Sequence, residues 1–293
     1  MLRKVVFIVN PASGRGIVRL EALVEQITDA CDLETIHPEV VVSKNNRHAT
    51  NLSEQAVARN YSAVVAVGGD GTINQVAPPL IGTNTALGII PAGSGNGLAH
   101  CLNIPFSVAE AVRVINDWNL QKIDAVRINN RFFFNLAGVG FDAVVARKYS
   151  SNEKHGFFAY LKYITRYYPA YKPRKYILHI DNRAIECEAL MICFANSNQF
   201  GYNTIISPHA TPCDGLVDVC IVKKVPVIKA LNQAHLLFTR RFDESEYVEI
   251  IKAKRAELYQ KNTRYVNLDG EAVKMKKYLT IEVMPGVLNL LTP

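Results

Sequence analysis

Ala63-Val64-Val65-Ala66-Val67-Gly68-Gly69-Asp70-Gly71-Thr72 is the stretch whose reading decides the fold. Its apolar first half is long enough for a buried strand and too short for most helices. Gly68, Gly69 and Gly71 then remove side chains and permit positive φ, so the backbone can turn tightly and bring N–H groups against a bulky anion. Asp70 puts one carboxylate into that turn, an acceptor-only group suited to a cation or a hydroxyl proton. Thr72 is placed to cap a helix through Ile73-Asn74-Gln75-Val76-Ala77, whose positive end favours phosphate. The plainer alternative is a strand-to-helix turn that holds no ligand.

Working outward toward the N-terminus, Val5-Val6-Phe7-Ile8-Val9 reads as a strand buried on both faces and therefore parallel. Asn10-Pro11-Ala12-Ser13-Gly14 ends it, because a residue before proline is pushed out of the helical region. Ile17, Leu20, Leu23, Val24 and Ile27 follow helical spacing, which predicts a crossover helix to about Ala30. Glu39-Val40-Val41-Val42-Ser43 predicts a second strand ending in a hydroxyl, and residues 51–59 suit a helix.

On the other side, Pro78-Pro79 must stop the helix early. Ala86-Leu87-Gly88-Ile89-Ile90 is a further strand, running into the turn Pro91-Ala92-Gly93-Ser94-Gly95-Asn96-Gly97. Ser107-Val108-Ala109-Glu110 is a capping box for a helix carrying Val112 and Ile115. Alternating strands and helices predict a parallel α/β sheet with ligands at the strand C-terminal ends. Three small, polar, glycine-bearing turns, each after a strand, would gather on one edge of that sheet. The chain has no G-x-x-x-x-G-K-[ST] sequence, which excludes a P-loop, and no G-x-G-x-x-G after its first strand, which argues against a usual dinucleotide fold.

Beyond about residue 121 the pattern changes. Residues 122–128 and 131–136 flank Asn129-Asn130, and residues 174–180 and 184–194 flank Asp181-Asn182, which predicts two β-hairpins. Residues 147–176 interleave Lys148, Lys154, Lys162, Arg166, Lys172, Arg174 and Lys175 with Phe157, Phe158, Tyr160, Tyr163, Tyr167, Tyr168, Tyr171 and Tyr176. Phe157, Tyr160, Leu161, Ile164 and Tyr168 share one helical face, with Lys162 and Arg166 away from it. Such patches suit lipid interfaces or single-stranded nucleic acid, unless the aromatic face merely packs on the β domain. Near the end, Tyr265-Val266-Asn267-Leu268-Asp269-Gly270-Glu271 reads as a strand reaching a tight turn, and a regular strand would aim both acids at the same face. Paired acids suit metal binding or general-base work; an exposed hairpin tip is the alternative. Residues 278–283 and 287–291 are expected as two final strands.

Composition bounds the classes. A chain of 293 residues predicts two domains, and 49% hydrophobic with 20% charged residues excludes a disordered protein. The net charge of +7 favours an anionic partner: nucleotide, nucleic acid or acidic membrane surface. Cys31, Cys101, Cys187, Cys193, Cys213 and Cys220 have no C-x-x-C or zinc spacing and read as buried or idle thiols in a reducing compartment. Met1-Leu2-Arg3-Lys4 does not open a signal peptide, and no segment reaches the roughly 18 apolar residues of a membrane span. A cytoplasmic protein is expected, with any contact peripheral at the inner membrane surface.

Taken in order, Asn10 to Gly14, Gly68 to Asn74, Gly88-Ile89-Ile90-Pro91 with Gly93-Ser94-Gly95-Asn96, Asn135 to Asp142, Asp214-Gly215-Leu216 and Asp269-Gly270-Glu271 resemble the diacylglycerol kinase catalytic-domain family, which includes sphingosine and ceramide kinases. The resemblance implies an N-terminal parallel α/β nucleotide-binding domain over residues 1–121, rejoined by the tail 285–293, and an antiparallel β-sandwich-like lipid-binding domain over 122–284. It implies an ATP-dependent lipid kinase with the nucleotide in a cleft. By motif match, Asn10, Pro11, Ala12, Ser13, Gly14, Ser43, Gly68, Gly69, Asp70, Gly71, Thr72, Ile73, Asn74 and Ser94 would line the ATP site. Thr211, Asp214 and the carbonyl of Leu216 match a structural Mg²⁺ site, with Asp124 nearby. Asp269 or Glu271 would be the general base, and Asp70 is the acid to which sphingosine kinases direct attention.

Gly97 stands where bacterial diacylglycerol kinases usually carry aspartate, Gln75 replaces a usual glutamate, and Pro78-Pro79 interrupt a segment normally helical. The sequence Ser94 to Ala99 looks more like sphingosine and ceramide kinases, which tilts the expected acceptor toward a sphingoid or similar long-chain alcohol. Expected partners are a lipid at an anionic membrane surface and a second copy of the chain in a homodimer, with no nucleic acid. Two competing readings remain: an NAD kinase, resting on the shared Gly68 to Thr72 turn, and a non-catalytic nucleotide-gated protein that binds membrane or nucleic acid.

Overall fold

The structure is a computed structural model that describes residues 2–11, 20–150, 156–261 and 265–293. The predicted loop residues Ala12, Ser13 and Gly14, the helical start at Ile17, and Lys154 lie outside them. The chain divides into one unit formed by Met1–Ile123 with Gly286–Pro293, and a second formed by Asp124–Pro285.

In the first unit, β1 (Arg3–Val9) is followed by α1 (Leu20–Ala30), β2 (Ile36–Val42), α2 (Asn46–Ala58), β3 (Ala63–Gly68), α3 (Asp70–Val76), β4 (Ala86–Pro91), α4 (Gly97–Cys101) and α5 (Val108–Asp117). The strands run parallel in the order β2-β1-β3-β4. As the apolar runs require, β1, β3 and β4 are buried nearly throughout. Val5, Phe7, Val65, Val67 and Ile90 pack against Ile27 of α1 and Val112 and Ile115 of α5. The strand β2 tolerates Pro38 because it is an outer strand, where a missing N–H costs no ladder bond. From the chain's end, Leu290 pairs parallel with Leu87, and the Gly82 N–H donates to the Val287 carbonyl.

Local capping departs from the sequence reading in three places. Helix α2 starts at Asn46, ahead of the predicted residue 51, because the Asn45 side chain caps it by accepting the His48 N–H at 2.9 Å. The cap of α3 is Gly69, in extended backbone, so Thr72 sits inside the helix and its hydroxyl takes the Asn10 amide at 3.0 Å. Ser107 does occupy the cap of α5, but its side chain makes no capping bond and the predicted box stays open.

The second unit holds β5 (Leu120–Ile128, which begins in the first), β6 (Arg131–Phe133), β7 (Leu136–Gly140), α6 (Phe141–Ser150), α7 (Phe157–Tyr167), β8 (Arg174–Ile180), β9 (Arg183–Ala189), β10 (Met191–Ala195), β11 (Gln199–Gly201), β12 (Thr204–Ile205), β13 (Val217–Val222), α8 (Val227–Gln233), β14 (Val248–Ala253), β15 (Arg255–Gln260), β16 (Tyr265–Leu268), β17 (Glu271–Lys274) and β18 (Tyr278–Leu291). One antiparallel layer runs β18-β15-β8-β9 with β5 and β6 attached; the other runs β14-β13-β10-β7-β16-β17. Their inner faces share one core, including Val126, Phe133, Tyr176, Leu178 and Leu258 from the first and Val139, Phe194, Val219 and Val266 from the second. A parallel α/β region followed by an antiparallel β sandwich is therefore the fold, as expected.

Both predicted hairpins form, with Asn129 and Asp181 at positive φ in their turns. Their second strands end earlier than read. Residues after Phe133 and after Ala189 leave the first layer and re-enter the other one as β7 and β10, a change of sheet that a continuous apolar run does not announce. Conversely, the two expected final strands are one, β18, which runs through Pro285 and Gly286. Among the described residues no helix is long and apolar enough to cross a membrane.

Candidate functional site

The parallel register aligns the strand ends of the first unit. Val9 pairs with Val42 and with Val67, and Gly68 pairs with Pro91, so the residues that follow emerge along one edge. That edge brings together Asn10, Ser43, Gly68, Gly69, Asp70 and the turn containing Ser94. The Asn10 N–H donates to the Val67 carbonyl, and the buried Ser43 donates its N–H and its hydroxyl to the Val9 carbonyl at 2.8 and 3.1 Å. Pro11 is exposed beside Asn10, while Gly71 and Asn74 are half-buried on the first turns of α3. Ile73 has a buried side chain, and its N–H bonds to the Gly69 carbonyl.

Two of the glycine turns touch through backbone. A Cβ added to Gly93 would stand 2.3 Å from Gly69 Cα, so only glycine permits the approach. The second turn is held by Asn96, at φ +48°, whose amide oxygen accepts the Gly93 N–H at 2.9 Å and whose NH₂ donates to the Gly93 carbonyl at 2.8 Å. Asp70 ties the turn to its neighbour: its two oxygens accept the N–H groups of Gly97 at 2.9 Å and Leu98 at 3.1 Å, satisfying the open end of α4. Burial pushes the Asp70 carboxyl above the usual range, opposed by those two N–H groups. Gly97 is buried and contributes through its backbone. The edge thus offers hydroxyls, amides and glycine backbone for an oxyanion, with its carboxylate committed to holding the frame.

In the second unit, Asp269 and Glu271 are not successive residues of one strand. Leu268 pairs with Glu271 across a tight turn in which Asp269 and Gly270 both take positive φ, so the strand alternation does not carry through from one acid to the other. Asp269 is buried and accepts three backbone N–H groups, from Phe134 at 3.0 Å and from Asn135 and Leu136 at 2.9 Å. Glu271 is half-buried at the head of β17. Asp269 braces the turn, and Glu271 follows directly after it.

A group the sequence reading assigned no role sits beneath this turn. Asp142, in the first turn of α6, is fully buried, and the Asn267 amide lies 3.0 Å from each of its oxygens. The Asn267 oxygen in turn accepts the Gly270 N–H at 2.9 Å. Burial raises Asp142 to about 7, against the opposing Asn267 bond. Gly138 makes the room, since a Cβ there would lie 1.8 Å from the Asp142 carboxylate. The available signal was the Asn135 to Asp142 motif. Asn135 and Ser197 bond beside it, and the buried Asn196 donates to the Phe134 carbonyl at 2.8 Å.

Of the residues read as a Mg²⁺ site, Asp214 is the carboxylate, and both of its oxygens are already engaged. Asp214 Oδ1 accepts the Leu216 N–H at 3.0 Å, and its Oδ2 is 2.9 Å from the Lys252 ammonium, which would oppose any incoming cation. Asp124 is engaged with the Gly215 N–H at 2.7 Å. Among the described residues no group of three or more His, Cys, Asp or Glu is arranged for a metal ion.

Helix α7 also differs from its predicted face. Tyr160, Tyr163, Ile164, Tyr167 and Tyr168 pack against a core containing Phe141, Val145 and Tyr171, while Leu161 turns outward. Phe158 is 84% exposed, and Phe157 lies between Phe158 and Phe238 with ring centroids 5.8 and 6.4 Å away. Phe238 is 51% exposed, and Lys162 and Arg166 face solvent.

Comparison with known proteins gives two family matches. Residues 4–128 match the diacylglycerol kinase catalytic domain, and residues 135–292 match the YegS C-terminal NAD kinase beta sandwich-like domain. A diacylglycerol kinase of Bacillus subtilis is 26% identical over 276 residues, covering 92% of this chain and 90% of the relative. One from Staphylococcus haemolyticus is 28% identical, covering 90% and 81%. A crystal structure of a diacylglycerol kinase from Bacillus anthracis has the same fold, with a TM-score of 0.83, 22% identity, and coverage of 99% and 97%.

Proposed function

Because the chain belongs to the diacylglycerol kinase catalytic-domain family and is therefore a phosphotransferase of the lipid-kinase class, we propose that it transfers the γ-phosphate of Mg-ATP to a hydroxyl of a membrane lipid. The observation that carries this reading is the single edge on which Asn10, Ser43, the Gly68-Gly69 turn and the Gly93 turn converge. Strand C-terminal ends are where α/β sheets bind ligands, and side-chain-free turns let backbone N–H groups reach phosphate oxygens.

The chemistry asked of the protein is modest. Phosphoryl transfer passes through a loose transition state, so positioning and charge stabilisation dominate. Asn10, Ser43 and the turns at 68–74 and 93–94 hold the nucleotide phosphates, with magnesium arriving as part of the nucleotide substrate. Asp70 keeps the turns in place through α4. Glu271 takes the proton of the attacking hydroxyl; Asp269, with three N–H donors already on its oxygens, supports the turn that carries it. The acceptor is a long-chain alcohol, either diacylglycerol or a sphingoid base. Phe158 and Phe238, with Lys162 and Arg166, supply apolar and cationic groups suited to peripheral contact with an anionic bilayer.

The test is phosphorylation of a panel of diacylglycerol, sphingosine and ceramide in anionic vesicles with γ-labelled ATP, with NAD offered as a competing acceptor because the second unit matches an NAD kinase-like sandwich. Label in a lipid product supports the proposal. Label in NAD alone, or in no acceptor, overturns it.

A further inference from the structure

The loop at residues 206–216 is held by a cation that the chain itself supplies. Strands β13 and β14 pair antiparallel with Asp218 directly opposite Lys252, a placement that brings side chains of opposite charge together on one face. Asp218 is 2% exposed; its Oδ1 lies 3.1 Å from the Lys252 ammonium and its Oδ2 accepts the Ser207 hydroxyl at 2.6 Å. The same ammonium is 2.9 Å from Asp214 Oδ2 and 3.5 Å from the His209 carbonyl. An ammonium has three donors and no acceptor. Here three acceptors meet it: the carboxylate of Asp214 in the loop, that of Asp218 on β13 just after it, and the His209 carbonyl.

That is the work a hard divalent ion does when it neutralises carboxylates and gathers a carbonyl. A magnesium ion bound to Asp214 would share its oxygen with a lysine already in contact. Asp124 adds bonds of its own to the loop: it accepts the Gly215 N–H, and its N–H donates to the Pro212 carbonyl at 2.7 Å. We propose that the Lys252 ammonium is the structural cation of this loop, so that the second unit folds and keeps the loop ordered with no divalent ion bound there. This is independent of which substrate the protein phosphorylates.

Scanning calorimetry and elemental analysis of the whole, nucleotide-free protein test it, since any magnesium that accompanies ATP is then absent. The wild type should melt at the same temperature in EDTA and in millimolar Mg²⁺ or Ca²⁺, and should hold no stoichiometric divalent ion after dialysis. Lys252→Met keeps the length of the stem and removes the charge, leaving Asp214 and Asp218 facing each other. It should melt roughly 3–8 °C lower in EDTA and recover part of that loss in millimolar Ca²⁺ or Mg²⁺. Should Lys252→Met fail to fold, Lys252→Arg keeps the charge and should remain indifferent to divalent ions. A wild type that gains several degrees with Mg²⁺, a tightly held divalent ion in the wild type, or a Lys252→Met protein as stable as the wild type in EDTA would each overturn the proposal.

Discussion

Replacing Asp142 by asparagine should change how stability depends on pH. The carboxyl is buried with Asn267 as its partner, and burial raises it from 3.8 to about 7. In the folded protein it therefore keeps its proton up to about 7, whereas in the unfolded chain it loses it near 3.8. Between those values the folded state binds more protons, so this group's contribution falls as pH rises through the window and is flat above it. At about 1.4 kcal/mol per unit the full difference is about 4 kcal/mol. Of this, more than half, about 2–3 kcal/mol, develops between about pH 5 and about pH 8. The substituted amide carries no charge at any pH. Relative to the wild type, Asp142→Asn should gain about 2–3 kcal/mol across that interval, roughly 5–10 °C in melting temperature for a unit of this size. Urea unfolding followed by circular dichroism at several pH values measures it. Lost packing or a poorer bond to Asn267 would offset the two curves by a constant. Curves that stay parallel from acid to alkaline pH would refute the assignment of a raised carboxyl at this position.

Gly93→Ala should cost about 1–3 kcal/mol of stability and weaken ATP binding at least tenfold by calorimetry, because its Cβ would meet the Gly69 backbone at 2.3 Å; unchanged ATP affinity would remove this contact from the site. Glu271→Gln should lower kcat by about 10²–10⁴ with little change in melting temperature, whereas Asp269→Asn should lose roughly 2–4 kcal/mol of stability because its three N–H donors lose a carboxylate; the reverse pattern would exchange the two roles. Phe158→Glu combined with Lys162→Glu should reduce sedimentation with anionic vesicles at least tenfold while ATP binding is unchanged, and equal vesicle binding would exclude α7 as a membrane contact.

The parallel region was legible because its strands are buried on both faces, so Val5 to Val9, Ala63 to Val67 and Ala86 to Ile90 read as continuous apolar runs between turn residues. The β region was legible in kind but not in its joints. The passages from β6 to β7 and from β9 to β10 change sheets without a strong break in polarity, and β18 continues through a Pro-Gly pair that reads as a stop. At the candidate site, the turns could be named from glycine and hydroxyl content, but contacts between distant segments could not. That Asp70 would spend both oxygens on α4, that Thr72 would receive the Asn10 amide, and that Lys252 would stand on Asp214 all depend on strand register. At Asp269 and Glu271 the turn itself was not legible: the positive φ at Asp269 and Gly270 breaks the alternation that a regular strand would impose.

The most direct measurement of the central claim is transfer of the labelled γ-phosphate of ATP, followed by chromatography of the lipid fraction, for the wild type and Glu271→Gln side by side. The account predicts a phosphorylated long-chain alcohol lipid from the wild type and at least about a hundredfold less from the variant, with ATP binding equal in both. A wild type that binds ATP yet labels no lipid, or a Glu271→Gln protein that labels lipid at the wild-type rate, would contradict it.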